Sequence, residues 1–447
     1  MEALVARLVD FTAGLGEAAV HAAKARLIDS LGVAMAAHAA PPVAAARRLA
    51  QPIGAGLRAR LFATGLATTP ETAAFVNGTM VRYLDLNDAY RTLDASHPSD
   101  NLAGILAMTE ALGRPGRDFI LALAIAYEIQ CRFTDSVPFN DAGWDQPVVG
   151  ALACALACGR LLGSSRAQMA EAVALALVAN LCTYQTRAGE LSMWKGCAGP
   201  NGARNGIFAA RLADAGMTGP GRPFEGVFGI WNQTLGEPRD VALPRAGAAS
   251  YGLGQTNIKT YPVRDSCQLP IDTALDLRAR VAAGDIARLH IATYSSAHAG
   301  AVKDPELWAP RTRETADHSM PFAVAAALLD GAVTPETFAA GRFLDGDVLD
   351  LIGRMTIEID ADFSAQTPEV RNCRIEATAV DGTAIVAHRA QSLEEIARGL
   401  PDAVIEAKFR ACTEGVLSRT RQDELLELGR SLDSLPSVAP ILDALVL

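Results

Sequence analysis

The spacing of hydrophobic residues changes near residue 262, and this change restricts the folds that the chain can adopt. Up to that point, Ala- and Leu-rich segments such as VHAAKARLIDSLGVAMAAH place apolar residues at helical spacing, with charges on the opposite face. From there to about residue 400, β-branched and partly alternating runs indicate strands, and Asp381-Gly382 between two of them predicts a hairpin. The sequence therefore predicts a mainly α protein with a smaller α+β domain, divided into residues 1–262, 263–399 and a helical segment 400–447.

Composition and charge exclude several classes of function. The chain of 447 residues carries a formal net charge of −10 without a basic block, which argues against nucleic acid as a partner. No apolar run approaches the ~18 residues of a membrane span, and the N-terminal segment lacks the hydrophobic core of a signal peptide. We therefore expect a cytoplasmic protein without a membrane partner. The eight cysteines show no C-x-x-C pair and no zinc spacing, so we expect no metal, no other cofactor and no disulfide.

The polar stretch LDLNDAYRTLDASHPSDN, residues 84–101, holds residue types that carry out proton chemistry. A helix predicted to begin near residue 70 would carry Asp85 and Asp88 three positions apart on one face. His97 precedes Pro98, which suits the first turn of the next helix, so the imidazole would stand where backbone N–H groups favour an anion. The alternative is that these are solvated turn residues and a capping histidine, because Asp, Ser and Pro are common in loops.

The same stretch resembles the signature of the MmgE/PrpD family, in which an LD-aromatic-DD run precedes HPSDN or HPSG. The matching positions in this chain are Asp85, Asp88, His97, Pro98, Ser99, Asp100 and Asn101. Leu86 and Asn87 depart from the pattern. Two further landmarks support the resemblance: SMWKGCAGP, which contains Lys195, and KTYPVRDSCQLP, which begins at Lys259.

Three other positions depart from the family pattern and bear on the reaction. Ser266 stands where relatives have a histidine, and Asp145 follows a tryptophan that precedes a histidine in many relatives. Phe322 occupies the place of a catalytic tyrosine found in some members. His318, in the run ETADHSMPFAVAAALLDG that predicts a single helix, fits the family's helix histidine. His97 and His318 are therefore the histidines left as catalytic candidates.

The resemblance implies a metal-independent lyase acting on a di- or tricarboxylate, most simply a dehydratase of a citrate-like acid such as 2-methylcitrate. Dehydration requires a base for a carbon-bound proton, an acid for the leaving hydroxyl, and cations that hold the carboxylates. The residues expected to transfer protons are Asp88, His97, Lys195, Tyr261 and His318. The residues expected to bind the substrate are Asp85, Arg91, Ser99, Arg204, Lys259, Arg264, Ser266 and Gln268. An epimerase or isomerase, a decarboxylase, and a catalytically idle homologue are the alternatives.

Three further expectations follow from the resemblance. The helices of residues 400–447 would return to complete the helical domain, and residues 263–399 would form a lid. The catalytic pocket would lie between the two domains, since their closure can exclude water and complete the set of residues. A homodimer is expected, from the resemblance and from the apolar excess of the helical half.

Overall fold

The computed structural model describes residues 1–244 and 252–447, and its first part is built from helices joined by short connections. The helices of this part are α1 (Ala3–Asp10), α2 (Glu17–Ala36), α3 (Pro41–Arg47), α4 (Pro70–Arg82), α5 (Leu102–Ala111), α6 (Gly116–Ser136), α7 (Pro147–Leu162), α8 (Arg166–Val178), α9 (Ala198–Asp214) and α10 (Ile230–Thr234). Short antiparallel hairpins interrupt them, formed by β1 (Ala59–Arg60) with β2 (Ala67–Thr68) and by β3 (Tyr90–Arg91) with β4 (Ala95–Ser96). The helical character predicted for this half is confirmed.

Close packing in the helical part depends on small residues. Helix α7 is buried around nearly its whole circumference and packs against α6, α8 and α9. Gly206 of α9 approaches α7 so closely that a Cβ there would lie 2.5 Å from the carbonyl oxygen of Ala151, so a larger residue would force the helices apart. At the start of α4, Thr69 accepts the N–H of Thr72 and caps the helix.

The α+β part contains one larger sheet and the helices around it. Its helices are α11 (Asp265–Arg278), α12 (Ser295–Ala301), α13 (Arg313–Ala316), α14 (Met320–Asp330), α15 (Pro335–Ala339), α16 (Gly346–Ile352), α17 (Ala361–Gln366) and α18 (Leu393–Arg398). Its strands are β5 (Ile286–Thr293), β6 (Met355–Ile359), β7 (Val370–Ala379) and β8 (Ala384–Ser392). Within the described residues their order is β6-β5-β7-β8, with β5 and β6 parallel and the other pairs antiparallel. The hairpin predicted at Asp381-Gly382 is confirmed between β7 and β8.

The C-terminal segment returns to the helical part. Its helices are α19 (Asp402–Thr413), α20 (Arg419–Arg430) and α21 (Ala439–Ala444). Helix α19 packs along α2, where Phe409 lies against Gly32 and the ammonium of Lys408 lies 2.5 Å from the buried carboxylate of Asp29. One apolar core therefore includes helices from both ends of the chain, and a second lies within the α+β part. The mainly α fold with a smaller α+β domain is confirmed, while the boundaries at 262 and 399 stay a prediction.

Among the described residues, no single helix combines the length and the apolar character that a membrane crossing requires. One pair, Glu17–Ala36 with Pro41–Leu49, meets both criteria only when its members are taken together, and it is bent by 93°.

The first predicted helix ends before the acidic residues that it was expected to carry. Helix α4 ends at Arg82, so the prediction that Asp85 and Asp88 share a helix face is wrong. Asp85 adopts a φ of +52°, a left-handed conformation that an α-helix does not contain. The chain therefore turns at Asp85 and directs its carboxylate inward.

The helix predicted around His318 is divided in two. Helix α13 ends at Ala316 and α14 begins at Met320. The break occurs because the Ser319 side chain accepts the N–H of Phe322 and so starts a new helix. His318 therefore lies in the short gap between helices, where its side chain is not restricted to a helix face.

Candidate active site

A small enclosed cavity lies between the helical part and the α+β part. Its volume is about 30 Å³, and it is bordered by the β3–β4 hairpin, the loop before α7, the start of α11 and the break before α14. The side chains that line it include Asp85, Tyr90, Arg91, His97, Asn140, Asp145, Gln146, Tyr184, Arg187, Arg264, Asp265 and His318. Asp85 and His318, two candidate site residues that are 233 positions apart in the sequence, thus line the same cavity.

His97 contributes a neutral imidazole to this cavity. Its Nδ1 lies 2.8 Å from the carbonyl oxygen of Asp88, and because a carbonyl only accepts, we assign the proton to Nδ1 and the lone pair to Nε2. Burial lowers the pKa of His97 well below its ordinary value, and the cations of Arg82 and Lys259 lower it further. His97 is therefore suited to act as a base before an anion binds.

Asp88 holds the loop that carries this imidazole. Its carboxylate accepts from the hydroxyl of Tyr127 at 2.9 Å, from the hydroxyl of Thr256 at 2.8 Å and from the N–H of Ser99 at 3.2 Å. Both carboxylate oxygens are thus engaged, and Asp88 is not among the residues that line the cavity. The geometry does not support Asp88 as the base. It does not support Ser99 as a substrate contact either, since the Ser99 hydroxyl accepts from Asn87.

His318 contributes the second neutral imidazole. Its Nδ1 lies 2.7 Å from Oδ1 of Asp317, whose two oxygens also accept from Nζ of Lys195 at 2.5 and 2.6 Å. Burial lowers the pKa of His318 to about 3, and the Lys195 ammonium acts in the same direction against the carboxylate of Asp317. Burial also lowers the pKa of Lys195, against the attraction of Asp317. Because Nδ1 is held by Asp317, Nε2 is the nitrogen of His318 that a ligand can reach.

Asp85 lies at the centre of the buried charges. Its Oδ1 accepts from Nη1 of Arg82 at 2.6 Å and from Nζ of Lys259 at 2.5 Å. Its Oδ2 lies 3.5 Å from both Nζ of Lys195 and Nδ1 of His318. Burial alone would raise the pKa of Asp85, but the surrounding cations hold it well below its ordinary value. Lys259 is occupied by this carboxylate and does not line the cavity, so its predicted role as a substrate clamp is not supported.

Three arginines also line the cavity, and we call them the arginine wall: Arg91, Arg187 and Arg264. Arg187 donates from Nε to Oδ1 of Asp145 at 2.8 Å, and Nε of Arg91 lies 3.5 Å from Oδ2 of Asp265. Arg264 has no ion-pair partner within the parts of the chain that the structure describes. Each guanidinium keeps one buried N–H group without a hydrogen-bond acceptor among these residues. Buried unpaired donors are costly, so the wall is suited to receive an anion.

A second cavity lies beside the first. Its volume is about 210 Å³, and it shares Arg91, Asn140, Tyr184 and Arg264 with the inner cavity. The inner volume of about 30 Å³ is room for one or two water molecules. A carboxylic acid with several carbon atoms therefore requires these shared side chains to move, which a shift of the α+β part against the helical part would allow.

The only group of ligand-type side chains close enough to hold a metal ion, within the described ranges, consists of Asp85, Asp317 and His318. Their ligand atoms lie within 4.8 Å of one another. The ammonium of Lys195 lies between the two carboxylates, so it already supplies the positive charge that a metal would bring. A metal ion at this position would have to displace it.

Arg204, expected to bind the substrate, lies away from the cavity. It is exposed on α9 and donates to the side chain of Asn205. The opposite face of α9, with Gly202, Gly206 and Ala213, is buried in the helical core. Helical periodicity therefore places position 204 on the outside, and the predicted role of Arg204 is not supported.

Tyr261 and Gln268 also serve the fold rather than the cavity. The hydroxyl of Tyr261 donates to Asp272 of α11 at 2.7 Å. The amide of Gln268 accepts from the N–H groups of Thr260 and Tyr261 and donates to the carbonyl of Tyr261, which fixes the loop before α11. Neither residue lines the cavity, so their predicted catalytic and binding roles are not supported.

Two positions that depart from the family pattern are buried but do not line the cavity. Ser266 lies in the first turn of α11, and its hydroxyl has no hydrogen-bond partner among the described residues. Phe322 packs edge-on against Phe338 and Phe343 in the core of the α+β part, with ring centroids 5.5 and 6.0 Å away. The third departure, Asp145, does line the cavity.

Sequence reasoning did not single out Arg187, Tyr184 or Asp317. Arg187 and Tyr184 belong to a polar loop in which no periodicity indicates the direction of a side chain. Asp317 carried a usable signal, because it immediately precedes the candidate His318, and a carboxylate beside a histidine commonly orients the imidazole.

Comparison with known proteins accounts for both halves of the chain. The model of the MmgE/PrpD N-terminal domain matches residues 10–241, and that of the MmgE/PrpD C-terminal domain matches residues 261–434. Cis-aconitate decarboxylase of Homo sapiens is 27% identical over 395 residues, which cover 82% of this chain and 77% of that protein. 2-Methylcitrate dehydratase of Cupriavidus necator is 29% identical over 356 residues, which cover 74% and 71%.

The 2-methylcitrate dehydratase of Escherichia coli K12 is 28% identical over 332 residues, which cover 69% of this chain and 67% of that protein. The dehydratases and the decarboxylase named here are lyases, and the cavity of this chain brings two imidazoles together with three guanidinium groups. Since the family models match each half of the chain, this protein belongs to the MmgE/PrpD family and is an enzyme of the lyase type.

Proposed function

We propose that the protein is a dehydratase of a citrate-like di- or tricarboxylate, similar in reaction to the relatives named 2-methylcitrate dehydratase. The observation that carries the proposal is that two neutral imidazoles and the arginine wall line the same buried cavity. Guanidinium groups bind carboxylates through paired hydrogen bonds and fix the substrate. The imidazoles then act on the carbon atoms between the carboxylates.

His97 is the proposed base. Its Nε2 takes the proton from the carbon next to a carboxylate, while Nδ1–H keeps its hydrogen bond to the carbonyl of Asp88. His318 is the proposed acid, donating from Nε2 to the leaving hydroxyl while Asp317 holds Nδ1. The C–H and C–O bonds break, a carbon–carbon double bond forms, and water leaves. Exchange with solvent returns the proton from His97 and restores the proton on His318.

The bound substrate prepares His318 for this role. Without a ligand, burial and the neighbouring Lys195 keep the pKa of His318 at about 3, so its imidazole is neutral. A substrate with two or three carboxylates brings negative charge next to both imidazoles and raises their pKa. Proton uptake is therefore expected to accompany substrate binding, and it can be measured by titration calorimetry in buffers of different ionisation enthalpy.

The proposed reaction uses no metal, because Lys195 places a positive charge between Asp85 and Asp317. Treatment with a chelator is expected to leave turnover unchanged. Loss of activity that one added metal ion restores would contradict this part of the proposal.

We further propose a cytoplasmic homodimer. The support is the family membership together with apolar side chains exposed on the helical half, such as Phe208, Val227 and Phe228. Light scattering at micromolar concentration is expected to give the mass of two chains. The mass of a single chain over this range would contradict the dimer.

Incubation with a panel of acids in deuterium oxide tests the reaction. The panel contains citrate-like hydroxy acids, aconitate-like unsaturated acids and amino-dicarboxylates, and proton NMR follows each sample. Loss of water from a hydroxy acid, with the matching unsaturated product, is the expected result. Binding without any change in the spectra would indicate a catalytically idle homologue and would contradict the proposal.

Two other reactions, an epimerisation and a decarboxylation, fit specific features and appear as separate outcomes of the same panel. Two imidazoles at one cavity also suit an epimerase, which exchanges a carbon-bound proton with solvent deuterium without losing water. The relative named cis-aconitate decarboxylase suggests a decarboxylase, which would release carbon dioxide from the unsaturated acid.

A further inference from the structure

The Asp145–Arg187 ion pair presents two unused polar atoms of opposite kind. Oδ1 of Asp145 accepts from Nε of Arg187 at 2.8 Å and from the N–H of Gln146 at 2.9 Å. Oδ2 of Asp145 and Nη2 of Arg187 are buried, and neither has a hydrogen-bond partner within the described parts of the chain. Both residues line the inner cavity. One ion pair therefore offers a ligand both an acceptor and a donor.

The other carboxylates of the cavity do not offer such an acceptor. Asp265 accepts from the amide of Asn257 at 2.9 Å with Oδ1 and from Arg371 at 2.9 Å with Oδ2. The unpaired Oδ2 of Asp85 faces the cations around it, with Nζ of Lys195 at 3.5 Å. Asp145 is thus the cavity carboxylate whose unpaired oxygen has no second cation beside it among the described residues.

A ligand that satisfies both atoms must carry an acceptor next to a donor. An α-hydroxy carboxylate has this arrangement, because its carboxylate oxygen and its hydroxyl lie on adjacent carbon atoms. The carboxylate would accept from Nη2 of Arg187, and the hydroxyl would donate to Oδ2 of Asp145. An acid of the same skeleton without the hydroxyl would leave the buried Asp145 oxygen unsatisfied, which lowers affinity.

We propose that Asp145 and Arg187 are the specificity-determining pair of this site, which selects a carboxylate with a hydrogen-bond donor on the adjacent carbon. This inference rests on the proposed function and narrows its substrate class to acids with a hydroxyl or an ammonium beside a carboxylate. It is also compatible with loss of that hydroxyl. Donation to Asp145 makes the hydroxyl oxygen more basic, so a neighbouring acid protonates it more readily, and the departing water keeps the hydrogen bond.

The test compares acids that differ only in the donor. Citrate is paired with propane-1,2,3-tricarboxylate, and malate and aspartate are each paired with succinate. Affinities are measured by titration calorimetry in the His97→Gln background, where turnover is suppressed. The acids that carry a hydroxyl or an ammonium are expected to bind about 10- to 100-fold more tightly than the paired acids without this donor. This is the range for one hydrogen bond to a charged group. Comparing the affinities of aspartate and malate then shows whether the site prefers an ammonium or a hydroxyl as the donor.

Substitution of the pair separates specificity from structure. Asp145→Asn keeps the acceptor for Arg187 but replaces the free acceptor by a donor, so the ratio between the two acids of each pair is expected to fall at least tenfold. Arg187→Lys keeps the positive charge but removes the Nη2 donor that would bind the carboxylate. The affinities for both acids of a pair are therefore expected to fall by the same factor. The exposed Arg204→Gln is the matched control and should leave both affinities and their ratio unchanged.

The outcomes separate this inference from the function on which it rests. If the chain with Asp145 intact binds both acids of every pair with equal affinity, Asp145 and Arg187 do not determine specificity, and the proposed function still stands. Binding of none of the acids overturns both. The ratio of affinities between the two acids of a pair, measured in the chain with Asp145 intact, decides the question by itself. The test therefore does not depend on the stability of Asp145→Asn.

Discussion

The two sides of the cavity differ in how completely their charges are satisfied. On one side, which we call the acid–base side, Asp85, Lys195, Asp317 and His318 hold one another through short hydrogen bonds and ion pairs. On the arginine wall, each guanidinium keeps a buried donor without an acceptor among the described residues. The comparison indicates that the fold surrounds the acid–base side with opposite charges, since even the unpaired Oδ2 of Asp85 lies 3.5 Å from Nζ of Lys195. The arginine wall keeps unpaired donors that are suited to receive a ligand.

This difference has opposite consequences for substitutions. A buried charge that already has partners leaves those partners uncompensated when it is removed, which destabilises the protein. On the arginine wall, Arg264 is a buried cation without an ion-pair partner among the described residues, which costs free energy in the folded state. Its removal is therefore expected to weaken ligand binding and to leave stability unchanged or raised. The two sides can therefore be separated by measuring unfolding and binding on the same variants.

The largest expected effect is on turnover, and it follows from substitution of His97. His97→Gln keeps the size of the side chain and a hydrogen bond to the Asp88 carbonyl but removes proton transfer. Turnover is expected to fall by ~10²–10⁴-fold, with folding and substrate binding nearly intact. Steady-state kinetics and a thermal melt measure these effects. His38→Gln is the control, because His38 lies outside the cavity and should change little.

Unfolding of His97→Gln, with normal turnover in the folded fraction, would show that this histidine only supports the loop. The polar stretch 84–101 would then be structural, and the cavity would lack its proposed base.

The next effect is on stability, at the acid–base side. Lys195→Met removes an ammonium that is fully buried against Asp317 and Asp85, so each of these buried carboxylates loses one of its cations. The free energy of unfolding is expected to fall by ~3–5 kcal/mol, as for other broken buried pairs. Urea titration measures this change. Arg204→Gln, at an exposed site, should keep the unfolding midpoint of the unchanged chain, and an equally small effect of Lys195→Met would contradict a self-satisfied cluster.

The third effect is on binding, at the arginine wall. Arg264→Gln removes a cation that has no ion-pair partner within the described residues, so KM is expected to rise about 10- to 100-fold while the unfolding midpoint stays equal or rises. Kinetics over a range of substrate concentrations and urea titration measure the two quantities. A clear loss of stability with an unchanged KM would assign Arg264 to the fold and would end the contrast between the two sides.

Gly300→Ala sharpens this test without removing the charge. A Cβ at this position of α12 would lie 2.4 Å from Nη2 of Arg264, so the flexible guanidinium must shift. KM is expected to rise roughly tenfold, less than in Arg264→Gln, because the cation remains but is misplaced.

The smallest effect concerns the pH dependence of stability. Burial lowers the pKa of His318 from 6.5 to about 3, so the unfolded chain takes up a proton at a higher pH than the folded chain does. The stability that neutral His318 contributes is complete above pH 6.5 and is lost as the pH falls toward 3. Between about pH 6 and pH 4, one such group changes the free energy of unfolding by about 1 kcal/mol per pH unit.

The measurement compares the unchanged chain with His318→Asn, which keeps a donor for Asp317. Burial raises the pKa of Asp94 and of Asp100 to about 6. These two carboxyl groups therefore increase the free energy of unfolding as the pH falls below 6, whereas His318 decreases it. Taking the difference between the two proteins at each pH removes their contribution. An equal pH slope in both proteins would contradict the low pKa of His318.

Local structure could largely be predicted from the sequence. The start of α4 near residue 70, the hairpin at Asp381-Gly382 and the change from helices to strands along the chain depend on neighbours within a few positions, and each is present. The predictions that failed required interactions over long separations. Helical spacing placed Asp85 and Asp88 on one face, but the cations that stabilise the left-handed turn at Asp85 include Lys195 and Lys259, more than 100 positions away.

The sequence by itself determined the family, the mainly α fold and the candidate histidines, because motifs and periodicities are properties of short stretches. Only the tertiary structure decided which charged residues face the cavity. Lys195 and Lys259 belong to sequence motifs, but only folding engages them with Asp317 and Asp85. Arg187, in a loop that carries no motif, joins the arginine wall. The physical reason is that the free energy of a buried charge depends on its partners, and these partners come from parts of the chain that meet only after folding.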